Sequence, residues 1–133
     1  MPHINWLAVL AAAVSTFLIG GLWYSPAAFG RAWMSANNFT REDLSNGNMA
    51  KIFGLSFIFA LLISANLAAF LADAKTTVAW GATAGFLAGF GWVTLGIATI
   101  ALFERRSWKY ILTNGGYMTV SFTLMGLILG VWR

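Results

Sequence analysis

Four carboxylates, one histidine and a series of uncharged amides and hydroxyls are the side chains of this sequence that could do chemistry. Glu42, Asp43, Asp73 and Glu104 all stand outside the long uncharged stretches, so none is placed to pass a proton through an apolar barrier, which counts against a proton-driven pump. His3, beside Asn5 and Trp6, is the single histidine; metal sites need several ligands, and a lone imidazole reads as a solvated residue. The absence of cysteine excludes disulfides, thiolate catalysis and cysteine-ligated clusters. No metal and no cofactor is expected. The remaining polar groups are neutral: Ser64 and Asn66, then Thr94, then Thr113, Asn114, Tyr117, Thr119, Ser121 and Thr123 close together near the C-terminus. Asn66 and Asn114 cannot leave their amides unpaired in apolar surroundings without cost, so each needs an interhelical partner, a water or a ligand. The plain reading is hydrogen bonding between helices. The alternative is a pocket for a lipid or small molecule, with Asn66, Asn114 and Tyr117 gathered near a buried Trp92, the one tryptophan deep within its stretch. No nucleophile, base and acid converge, so the chain is not expected to be an enzyme.

The elements that hold these residues follow from composition. Of 133 residues, 59% are hydrophobic and 9% charged, where soluble domains have roughly 45–50% and about 25%. Mean hydropathy is +0.75, and 14 glycines suit helices whose backbones approach closely in lipid. The class is integral membrane protein. Uncharged stretches run over Ile4–Trp23, Ile52–Ala72, Thr76–Phe103 and Tyr110–Val131, each at or beyond the ~20 residues that span the hydrocarbon core as a helix. They are too long for barrel strands, so the fold class is an all-α membrane protein. The short links at 73–75 and 104–109 make neighbours antiparallel, giving an antiparallel four-transmembrane-helix bundle in a single domain, 1–133, with helices at about 4–24, 49–72, 76–103 and 108–131. The first lacks a basic leader segment and reads as a retained helix rather than a secretion signal. The third stretch measures about 42 Å at 1.5 Å per residue, so it must tilt, kink near Gly89 and Gly91, or protrude. Small residues recur at every fourth position, as at Ala60, Ser64, Ala68 and Ala72, at Gly126 and Gly130, and above all at Gly81, Gly85 and Gly89. Such flat faces allow close packing, either within one subunit or, for the Gly81–Gly85–Gly89 face, with another copy in a homo-oligomer.

Orientation follows from the basic residues. Arg31, Arg41, Lys51, Arg105, Arg106 and Lys109 share one side, and only Lys75 and Arg133 the other. This places the long first loop in the cytoplasm and both termini outside it. Trp6, Trp80 and Trp132 at outer ends and Trp23 and Trp108 at inner ends agree, because indole rings prefer the headgroup level. A net charge of +4 would suggest nucleic acid in a soluble protein, but here the cations flank apolar segments, and anionic lipid headgroups are the expected partner.

The first helix ends in "GLWYSPAAFGRAW", Gly21 to Trp33. Ser25 followed by Pro26 matches a helix start, with serine as cap and proline in the first turn. A short amphipathic interfacial helix is therefore expected at about 26–36, with Phe29 and Trp33 on one face and Arg31 elsewhere, ended by Asn37 and Asn38. Thr40 and Asp43 have capping-box spacing, and Asn46, Gly47 and Asn48 form a turn before the second span. Trp23, Tyr24, Pro26, Phe29, Arg31 and Trp33 thus read as an interfacial ledge, an anchor first and a lipid- or partner-binding surface second. Phe29–Trp33 and Phe103–Trp108 are alike enough to raise duplication of a helix pair, although membrane exit signals converge easily.

"INWLAVLAAAV" (Ile4 to Val14), "GGLWYSPAAFGRAW" (Gly20 to Trp33), "FERRSW" (Phe103 to Trp108) and "GLILGVW" (Gly126 to Trp132) together resemble domain-of-unknown-function family 1761, small bacterial four-helix membrane proteins. The resemblance covers nearly the whole chain and implies fold and a membrane location, with no catalytic or cofactor residue. The expected role is a non-enzymatic structural or interaction module of the bacterial plasma membrane that self-associates and binds lipid. The alternatives are a small transporter or channel with a pathway at a subunit interface, lined by the fourth helix, and a membrane enzyme acting on lipid.

Overall fold

The computed structural model describes residues 3–45 and 47–133, and among them all regular structure is helical. The elements are α1 (Trp6–Trp23), α2 (Gly30–Asn37), α3 (Arg41–Ser45), α4 (Met49–Phe70), α5 (Val78–Ala88), a π-helical segment (Gly89–Thr94), α6 (Leu95–Phe103) and α7 (Trp108–Val131). α1, α4, the continuous run Val78–Phe103 and α7 are long and apolar enough to cross a membrane, the pattern of a multi-pass membrane protein.

Each of the four starts on a polar cap. Asn5 Oδ1 accepts from the amides of Leu7 and Ala8 (3.1 and 3.2 Å), Asn48 Oδ1 from Lys51 (3.1 Å), Thr77 Oγ1 from Trp80 (3.0 Å) and Ser107 Oγ from Tyr110 (3.2 Å). These caps satisfy amides that have no carbonyl one turn back. Asn46, expected in the turn before α4, lies outside the described residues, while Gly47 forms a bend and Asn48 is the cap.

α7 is the element that meets every other long helix, and its buried Phe122, Met125 and Leu129 join Ala8, Val9 and Ala12 of α1, Leu67 and Ala68 of α4 and Ala84 of α5 in one core. Against α5 the approach is close. A Cβ built on Gly81 would strike the carbonyl of Gly126, one on Gly85 the carbonyl of Phe122, and one on Gly89 would come within 2.6 Å of Phe122 Cβ. The Gly81–Gly85–Gly89 face is therefore filled within the chain, the first of its two expected uses: the matching flat surface is Gly126 and Gly130 of the same polypeptide.

The long third span passes through the π-helical segment at Gly89 and Gly91, where a kink is one of the three adjustments expected of it. Its i→i+5 pattern inserts one residue into the face that meets α7. Contacts at spacing four, positions 81, 85 and 89, are followed at spacing five by Thr94, whose hydroxyl donates to the Gly115 carbonyl at 2.8 Å and lies 2.9 Å from Thr119 Oγ1. As positions rise from Gly81 to Thr94, their partners fall from Gly130 to Gly115.

At the end of α6, Arg105 takes a left-handed conformation (φ 57°), with its amide bonded to Leu102 O and that of Arg106 to Ala101 O. The paired bonds form a Schellman stop that separates α6 from α7 in a few residues.

Candidate functional site

Trp23, Tyr24 and Trp33 of the expected ledge are drawn inward, while Pro26, Phe29 and Arg31 stay exposed. At the end of α1 the Trp23 indole donates Nε1–H to the Thr113 carbonyl of α7 (2.8 Å), and the next residue, Tyr24, donates its hydroxyl to Asn114 Oδ1 (2.7 Å). Asn114 in turn donates Nδ2–H to the Tyr110 carbonyl (3.1 Å), which fixes its amide for Tyr24. One turn further along α7, Tyr117 donates to the Thr16 carbonyl of α1 (2.9 Å) and meets the Tyr24 ring edge-on at 5.3 Å between centroids. Glycine makes the space. A Cβ on Gly116 would lie 2.7 Å from the Trp23 indole, and one on Gly20 would lie 3.2 Å from the Tyr117 hydroxyl.

From this anchor the chain turns back and seats α2 on α7. Ser25 is not the expected helix cap: its hydroxyl donates to Leu22 O (2.6 Å), residues 25–29 form successive turns, and α2 begins at Gly30 rather than near 26. The chain reverses tightly here instead of starting a helix. The amides of Ala28 and Gly30 both bond the Ser25 carbonyl and that of Phe29 bonds Trp23 O, a tight reversal in which any Cβ at Gly30 would strike Ser25. Pro26 sits in that reversal with its missing N–H unneeded. Phe29 and Trp33, expected on one face of that helix, pack on different rings: Phe29 lies 4.5 Å from Trp23, whereas Trp33 packs edge-on against Tyr24 (5.6 Å) and Phe39 (5.3 Å). Arg31 is exposed. The helix stops as the asparagines suggested, at Asn38 in the left-handed region (φ 56°). Thr40 and Asp43 then form the expected capping box, with Thr40 N–H donating to Asp43 Oδ2 (2.8 Å) and Asp43 N–H to Thr40 Oγ1 (3.1 Å). The Thr40 amide holds the exposed Asp43 carboxyl below the usual carboxylate range.

Cations surround this corner. Lys109 Nζ reaches Ser35 Oγ across α2 and α7 (3.4 Å), and the Arg106 guanidinium lies 5.1 Å from the centre of the Tyr110 ring, within cation–π range. Arg31, Arg41, Lys51, Arg105, Arg106 and Lys109 are all exposed.

Of the four residues expected to gather in a pocket, Asn114 and Tyr117 do belong together. Asn66 does not join them: its amide donates to Leu62 O on its own helix (2.8 Å), on the exposed side of α4. Trp92 is 76% exposed on the outward side of the π-helical segment, since that segment turns Thr94 towards α7 instead. The expected buried indole is thus corrected to an outward one, and membrane depth had said nothing about which way the ring faces.

Two participants had no sequence signal. Thr16 enters through its backbone carbonyl, which any residue supplies. Arg133 donates to the carbonyls of Leu71 (2.6 Å) and Asp73 (2.5 Å), closing the end of α4 at the opposite end of the molecule. Among the described residues, no group of three His, Asp or Glu side chains is placed to hold a metal ion.

A family model described as "Protein of unknown function (DUF1761)" matches residues 7–130, nearly the whole chain. No curated protein and no solved structure matches it.

Proposed function

We propose, for a chain that belongs to the DUF1761 family of proteins of unknown function, a non-enzymatic interaction module of the bacterial plasma membrane. In this reading the four long helices form an antiparallel transmembrane bundle, both termini lie outside the cytoplasm, and the loop end binds anionic lipid headgroups. The observation that carries it is the fastening of the Trp23–Phe39 loop to α7 through Trp23 and Tyr24, with Trp33 packed on Tyr24, beside exposed basic side chains. A loop fixed in this way presents cations at a set height over the headgroups. Six cations against Glu42, Asp43 and Glu104 leave that end with a net charge of +3 (6 − 3), and each Lys or Arg near an anionic surface contributes about 1 kcal/mol. Self-association belongs to the same proposal, through outward positions such as Gly54 on α4 or Gly91 on the third span, where an added Cβ meets nothing within 4 Å, unlike the glycines facing α7.

Native mass spectrometry after release from membranes of mixed composition tests the reading. Anionic lipid should be retained over zwitterionic lipid, and the preference should fall when Arg105, Arg106 and Lys109 are replaced together by serine. Equal retention of both lipid classes by the unaltered protein would remove the headgroup reading.

A further inference from the structure

On the side of α7 away from α5, α4 leans mainly on α1 and meets α7 only briefly. The divergence leaves a groove of about 270 Å³ with α1 as its floor. Its walls are mostly apolar and adaptable, with Phe17, Phe59 and Phe122 and the thioethers of Met118 and Met125. One wall group is out of keeping: Ser121, 1% exposed, whose hydroxyl is buried without a hydrogen-bond partner among the described residues. Ser15, Thr16 and Ser64, also buried, each donate to a backbone carbonyl at 2.6–2.8 Å. A hydroxyl in hydrocarbon without an acceptor carries a free-energy cost, and although this one is covered, rotation about its Cα–Cβ bond would turn it to an acceptor held in the groove.

Size and depth narrow its identity. An apolar cavity of about 150 Å³ suffices for benzene, and a water takes about 30 Å³, so the groove suits a substituted ring rather than a single water. Ser121 lies about 20 Å from the start of α7 and about 15 Å from its end at 1.5 Å per residue, close to the middle of a hydrocarbon core ~30 Å thick. The ester carbonyls of phospholipids lie at the edge of that core and do not reach this depth. We infer that the groove between α1, α4 and α7 binds a neutral lipophile bearing a carbonyl on a planar ring, of the chemical class of the membrane quinones, with Ser121 donating to the carbonyl. Phe17, Phe59 and Phe122 offer ring faces and edges to it. The inference shares with the headgroup reading only the placement of the helices in a bilayer.

The test uses the full chain in a neutral detergent, with a decyl-substituted benzoquinone as probe and decylbenzene as its carbonyl-free counterpart, and binding read by equilibrium dialysis. The quinone should bind saturably. Ser121→Ala should weaken it about three- to tenfold, the loss of one hydrogen bond to a neutral acceptor, and leave decylbenzene unchanged. Ser56→Phe, at an exposed position on the groove wall, should reduce quinone binding to background with the helical content intact, whereas Phe86→Ala on the outward face of α5 should have no effect. Absence of saturable binding, quinone affinity indifferent to Ser121→Ala, or decylbenzene binding as tightly as the quinone would each overturn the inference. Because probe and detergent are uncharged, none of these results depends on headgroup binding at the basic corner.

Discussion

The two flanks of α7 are built to different rules. Towards α5 the helices meet at Gly81, Gly85 and Gly126, where the backbones leave no room for one more carbon, and at Gly130, where one would be tight. Towards α4 the same helix leaves a groove of about 270 Å³ with a serine hydroxyl unpaired on its wall. Both flanks are apolar, so hydrophobicity does not separate them. In lipid there is little hydrophobic force between helices, and association depends on dispersion contact over well-matched surfaces. Where glycines oppose glycines such contact is continuous. Where α4 presents Phe59, Ala60 and Ile63 to Tyr117, Phe122 and Met125, large side chains hold the helices apart over α1.

The sharpest way to break the contrast is to overfill the tight flank. Gly85→Leu forces four carbons into the Phe122 carbonyl and should cost on the order of 4 kcal/mol or more, the range of severe core disruption. Loss of the folded species in detergent, followed by circular dichroism on heating, measures it; an unchanged melting curve would mean that α5 and α7 are not in contact at Gly85. One methyl is a finer probe. Gly126→Ala should still destabilise by about 1–3 kcal/mol as overpacking, while Ser121→Ala on the open flank should leave unliganded stability unchanged or raised, because it removes an unpaired hydroxyl.

The polar corner between the flanks should show smaller effects. Tyr24→Phe deletes the hydroxyl that Asn114 accepts and should cost about 0.6–1.7 kcal/mol, as interhelical hydrogen bonds in membranes do. Its signature is faster proteolysis of the first loop, and a rate equal to that of the unaltered protein would show that Tyr24 is not what fastens the loop. Away from both flanks a glycine should be dispensable: Gly96→Ala on α6, where a Cβ meets nothing within 4 Å, should stabilise by about 0.5–1 kcal/mol through helix propensity. Destabilisation there would reveal a contact on the outward face, such as a second copy. Smallest is the capping box. Asp43 is held below the usual range by the Thr40 amide, so its folded pKa lies under its unfolded one. Its contribution is then present above about pH 4 and is lost as pH falls through the lower, folded value. Protection of the Thr40 and Asp43 amides from exchange, corrected for the intrinsic pH dependence of the exchange rate, should fall below that pH and be level above it.

Much of this was legible in residue types. The four long helices fall within about two residues of their expected ends because polar caps and uncharged length act locally. The Thr40–Asp43 box and the Asn38 stop were legible for the same reason. Ser25-Pro26 misled because serine-proline suits a turn as well as a helix start, and the choice fell to where Trp23 and Tyr24 could find partners ninety residues away on α7. Trp92 misled because depth along a helix does not specify direction around it, and one inserted π residue rotates the face.

By itself, then, the sequence determined that four uncharged segments are helices suited to a membrane, where they start, and which glycine faces are flat enough to pack. Those are properties of single segments, set by capping, length and transfer free energy. Only the tertiary structure decided that the Gly81–Gly85–Gly89 face meets Gly126 and Gly130 of its own chain, that the aromatic ledge folds inward onto Asn114 and Tyr117, and that Ser121 is left facing a groove. Each of these depends on which surface another segment brings to within contact distance, and dispersion and hydrogen bonding act only at that range.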